Sequence, residues 1–208
     1  MGFLPTLDAK LVHPPAARPG VLYLHAATFT AWVMLFIAQI QLVRTRRVVW
    51  HRRLGLFGNA LGALIPVLGL LTALTITRLQ LSAGDPDAEQ SLIVPVFDMA
   101  AFALLFSAAI GCRRRRDYHS RFMLMASSGL TVAAFARFPS WLIPENTFYV
   151  AVDLIIAIAI LHDWIATRRV HRVYCYALPI LIAGQATTMW ITIMGTTAWR
   201  AVAHRLLM

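Results

Sequence analysis

Five ionisable side chains interrupt apolar stretches of this chain: His25, Arg78, Asp98, Arg137 and Asp153. Such groups cost roughly 2.5–3.5 kcal/mol each at the middle of a membrane helix, and those that persist usually face protein and mark ion, proton or substrate sites. The five fall within about two helical turns of one depth once the apolar stretches are laid out as membrane spans. Arg137 has the chemistry to hold an anion or a carboxylate, and His25 to act as ligand or proton carrier. The structural alternative is that Arg137 pairs with Asp98 or Asp153 and locks three helices together.

A second set gathers near runs of arginine. His51, His119 and His171 lie in the stretches Arg44-Thr-Arg-Arg-Val-Val-Trp-His51, Arg113-Arg-Arg-Arg-Asp-Tyr-His119 and Arg168-Arg-Val-His171, and His162-Asp163 precedes the last of them. Imidazole, thiolate and carboxylate are ligands for transition metals and for haem iron. Haem between helices needs two axial ligands at matched depth, and His51, His119 and His162 are the best-placed candidates. Cys112, Asp163, His171 and Cys175 make up a wider candidate metal set. No pair has the tight spacing of a zinc motif such as Cys-x2-Cys. The alternative is that these histidines lie among lipid headgroups. Both cysteines fall on the side assigned below to the cytoplasm, where a disulfide is not expected.

The elements that must position these residues follow from composition. Of 208 residues, 59% are apolar and only 13% charged, and the mean hydropathy is +0.67. Soluble domains carry roughly 25% charged residues, so a bilayer explains the deficit better than a large core. The net charge of +10 sits in short arginine clusters at the ends of apolar runs. No basic helix face or nucleic-acid motif accompanies it, so nucleic acid is excluded as a partner and the lipid bilayer is expected instead.

A helix needs about 20 apolar residues to cross the hydrocarbon core. Six segments qualify, at 21–43, 54–77, 92–112, 122–143, 148–167 and 174–197. The expected fold is therefore all-α, an integral membrane bundle of six transmembrane helices arranged as three helical hairpins. Residues 1–20 form an N-terminal segment, 21–197 the membrane domain and 198–208 a C-terminal tail. Five, five and three of the nineteen basic residues fall in the first, third and fifth connectors, whereas the second carries Asp85, Asp87 and Glu89. The positive-inside rule then places the arginine connectors in the cytoplasm and both termini outside.

Helical periodicity adds detail. His25, Thr28, Trp32 and Gln39 form a polar stripe expected to face protein. Gly129, Ala133 and Arg137 recur every four residues, so a neighbouring helix is expected to approach closely there, as at Gly58-x3-Gly62. Pro66 and Pro179 are expected to kink their helices. There is no nucleophile elbow, phosphate-binding glycine loop or His-Glu-x-x-His, so nothing recommends an enzyme.

His25, Trp-His51-Arg-Arg-Leu-Gly, Asp-Tyr-His119-Ser-Arg-Phe-Met, Asp153 and His162-Asp163 with Arg-Arg-Val-His171-Arg-Val-Tyr together make a pattern over most of the chain from residue 21 onward. In it the chain resembles a group of uncharacterised bacterial six-span inner-membrane proteins with histidine-containing basic connectors. The resemblance implies an all-helical bundle in the bacterial inner membrane and no particular activity. Three functional expectations stand: a non-enzymatic protein binding haem or a metal ion in a redox or assembly role, a transporter or small-molecule-binding protein with an outward-facing polar site, and a structural subunit. The partner is then a second copy or a membrane complex.

Overall fold

The computed structural model describes residues 19–208. The expected N-terminal segment, residues 1–20, lies outside them save for its last two positions. The described residues are helical, with no strand among them. In chain order the helices are α1 (Gly20–Arg44), α2 (Val48–Ser82), α3 (Ala88–Ser91), α4 (Ile93–Gly111), α5 (Arg116–Gly129), α6 (Val132–Phe135), α7 (Phe148–Thr167), α8 (Arg172–Met194) and α9 (Thr197–Leu207). Five helical segments are long and apolar enough to cross a membrane: α1, α2, α3 with α4, α7 and α8.

The expected fourth segment, 122–143, is not one helix. The chain enters it through α5, which ends at Gly129; one turn of helix follows as α6, and beyond Phe135 come turns. Ser127, Ser128 and Gly129 are weak helix formers, and a nearby Ser or Thr hydroxyl can compete for backbone carbonyls. Thr131 illustrates the competition: both its backbone N–H (3.0 Å) and its hydroxyl (2.6 Å) donate to the Ser128 carbonyl. Further on, Pro139 and Pro144 lack the N–H a helix needs and disfavour helical backbone at the residue before.

Elsewhere, local chemistry explains the boundaries. Pro95 is tolerated in α4 because it falls in the first turn. The His171 ring caps α8 by accepting from the Val173 N–H at 3.2 Å, and α8 ends where Gly195 turns left-handed at φ 64°. Within the expected C-terminal tail, residues 198–207 are helical as part of α9, which folds back onto the end of α2 and onto α3.

Helix α2 is central. Its Gly58 faces Leu35 of α1, while a Cβ at Gly62 or Gly69 would overlap the Phe106 ring or the Met99 side chain of α4. Bare backbone there lets the helices close, with Trp32, Leu35, Leu61, Ile65, Phe102 and Phe106 as the core between α1, α2 and α4. Gly184 of α8 likewise seats the Phe97 ring of α4. Gly129 differs from expectation: no neighbouring helix among the described residues comes within 4 Å of where its Cβ would stand.

Candidate functional site

Asp98 sits about a turn and a half into α4, and Tyr149 at the second residue of α7. The Tyr149 hydroxyl donates to Asp98 Oδ1 at 2.9 Å. One turn further along α7, Asp153 Oδ1 accepts from the Gln185 amide of α8 at 3.2 Å. Tyr149 and Gln185 are buried. Asp98, Tyr149 and Gln185 line one small cavity with Gly129 and Val132, so four helices and the break between α5 and α6 meet there. Its volume is about 10 Å³, at the lower edge of what a single water requires. Small size and oxygen donors suit a proton, a water or a small cation, and nothing larger.

The remaining members of the outer set show other contacts among the described residues. No ion pair joins Arg137 to Asp98 or Asp153 among the described residues. Arg137 donates to the Ala133 carbonyl one turn back and lies within electrostatic reach of His25. The His25 ring packs on Phe29 at 4.1 Å between centroids, and its Nδ1 is buried with no hydrogen-bond partner among the described residues. Of the α1 stripe, Thr28 and Trp32 are buried and Gln39 faces His51 and Gly55 of α2. Arg78 instead holds α9, its Nε donating to the Leu207 carbonyl at 3.0 Å.

That contact belongs to a polar clasp at one end of the bundle. Trp199 Nε1 donates to the Glu89 carbonyl at 3.0 Å, Arg200 Nε to Gln90 Oε1 at 3.2 Å, and His204 meets the Glu89 carboxylate at 3.2 Å. Gln90 reaches across to the Ile191 carbonyl.

The three arginine connectors meet at the opposite end. His51 lies within electrostatic reach of His119, and His171 packs edge-on to Tyr118 at 4.7 Å while its Nε2 lies 3.2 Å from Asp117. Because His171 Nδ1 accepts from Val173, its proton is on Nε2 and is donated to Asp117. That bond holds the exposed Asp117 carboxyl below the usual aspartate range. His119 Nδ1 bonds the Ala109 carbonyl at 2.8 Å, and the Gln39 amide donates to His51 Nδ1.

The wider metal set does not converge. Asp163 is taken by the Arg121 Nε at 2.6 Å, and beside it the haem candidate His162 is 81% exposed. Cys112 and Cys175 are free, the second exposed. Among the described residues, no group of three or more His, Cys, Asp or Glu is placed to hold a metal ion.

Tyr149, Gln185 and Arg121 were not singled out by sequence. Gln185 did carry a signal, as a lone amide in the middle of an apolar segment. Tyr149 reads as an interfacial aromatic, and only the register of α7 against α4 turns it towards Asp98. No family model, curated protein or solved structure matches the chain.

Proposed function

We propose that the chain is a multi-pass protein of the bacterial inner membrane, with six crossings, that handles protons or a small cation through the Asp98–Tyr149 and Asp153–Gln185 pairs. The fourth crossing is made by α5 and α6 together. Arg121 near the start of α5 pairs with Asp163 near the end of α7, while Val132 of α6 packs with Tyr149 and Val152 near the start of α7. The interrupted pair thus covers most of the depth of α7, about 20 Å at 1.5 Å per residue. The positive-inside rule puts the arginine end in the cytoplasm and both termini outside.

The observation that carries the functional reading is the cavity between these pairs. One carboxyl, Asp98, lines a space of one-water size inside a helical bundle, and Gln185, which holds the second carboxyl at Asp153, lines it from α8. Buried carboxyls of this kind serve in proton relays. A proton arriving at Asp98 moves through the cavity towards Asp153, with Tyr149 and Gln185 fixing the carboxyl orientations. Difference infrared spectra of the purified protein between two pH values test this. A carboxyl band lost in Asp98→Asn is expected; superimposable spectra of the two proteins contradict it.

A second reading, binding of haem, is favoured by one observation. His119 donates from Nδ1 to the Ala109 carbonyl, which leaves its Nε2 lone pair for an axial bond, and His51 lies within electrostatic reach of it. Haem supplies its own equatorial nitrogens, so two histidines suffice. A Soret band in the detergent-purified protein, lost in His119→Ala, supports this; colourless, iron-free protein rejects it.

A further inference from the structure

A groove of about 420 Å³ opens between α5 and α8 at the arginine end. Its α8 wall is formed by Arg172, Val173, Tyr176, Ala177 and Ile180, a stripe about 12 Å long at 1.5 Å per residue. Tyr176 and Ile180 are 70% and 74% exposed, so the groove lies on the outside of the bundle. Its chemistry changes along its length. Arg172 is the charged residue of the lining, at the connector end, and Tyr118 beside it is overlaid by the Arg115 guanidinium at 5.8 Å. Deeper in, Phe122, Val173, Ala177 and Ile180 make an apolar floor. Asp117, the nearby carboxylate of α5, is engaged by His171.

We infer that this groove binds one anionic phospholipid, its phosphodiester at Arg172 and Arg115 and an acyl chain along the floor. Charge complementarity selects this occupant. A positive mouth at the membrane surface above an apolar trough matches an amphiphile with a negative head, and basic sites between helices near the surface hold such heads. The inference rests on the membrane reading and is independent of the role given to Asp98.

Native mass spectrometry of the full chain in detergent tests it, with phosphatidylglycerol, phosphatidylcholine and inorganic phosphate as probes. Phosphatidylglycerol should be retained more tightly than phosphatidylcholine. Arg172→Gln should weaken retention of phosphatidylglycerol about fivefold, the change expected for one basic contact, and leave phosphatidylcholine unaffected. Ala177→Trp, which fills the floor, should release phosphatidylglycerol; should that variant fold poorly, the Arg172→Gln arm decides alone. Equal retention of the two lipids, or an unchanged affinity in Arg172→Gln, overturns the inference. Displacement of the lipid by inorganic phosphate also overturns it, by making the mouth a free-anion site.

Discussion

At the residue scale, four aspartates of this bundle each have a named partner. Asp98 has Tyr149, Asp153 has Gln185, Asp163 has Arg121 and Asp117 has His171. Removing one member strands the other. Tyr149→Phe deletes the Asp98 partner while keeping the ring, and should lower stability by about 1–3 kcal/mol, the cost of an unsatisfied buried polar group. Thermal unfolding in detergent reads this directly. The Asp117–His171 bond makes a pH prediction of definite sign. Because the folded state holds the Asp117 carboxyl below its ordinary value of 3.8, its contribution is present above that value and lost as pH falls through the lower, folded one. The melting temperature of wild type should therefore exceed that of Asp117→Asn at pH 6. That gap should close in strong acid, and a gap that widens on acidification would refute the assignment.

At the element scale, the apolar helices are legible in sequence and the interruption is not. Segment 148–167 coincides with α7, and 21–43 and 92–112 match α1 and α4 to within a residue. Hydropathy registers how much apolar surface a stretch presents. It is blind to the weak helix formers Ser127, Ser128 and Gly129 and to the Thr131 hydroxyl that donates to the Ser128 carbonyl where α5 ends. It missed α9 for the opposite reason, because Arg200, His204 and Arg205 depress the mean while Trp199 and Ala203 still share a face. The small-residue argument succeeds at Gly62, where Phe106 fills the space, and fails at Gly129, where the neighbour is a cavity. The two glycines should consequently behave differently. Gly62→Ala overpacks the α2–α4 contact and should cost about 1–3 kcal/mol. Gly129→Ala meets open space and should be neutral, or stabilising by up to about 1 kcal/mol through helix propensity. Denaturation of the two variants side by side checks the contrast.

At the scale of the whole molecule, the bundle has two unlike ends. One gathers the three arginine connectors through His51, His119, Tyr118 and His171; the other is clasped by α9 against α3 and Arg78. The connector charges were legible in sequence, but which side chains they bring together depended on helix packing that no single-sequence period encodes. The proposed orientation is testable in intact cells, in a background with Cys112 and Cys175 replaced by serine. A membrane-impermeant maleimide should label Asp85→Cys readily and Arg114→Cys only after permeabilisation; the reverse pattern would invert the topology. Between these two ends lie the paired carboxyls, through which protons or a small cation are proposed to pass. The most direct measurement is ion flux into proteoliposomes under an imposed potential, followed with trapped dyes for pH and for sodium. Wild-type protein should acidify or load the vesicles, and Asp98→Asn, folded to the same extent, should fall to the rate of protein-free liposomes. Flux equal in wild type and Asp98→Asn, or absent for both ions in wild type, would contradict the account.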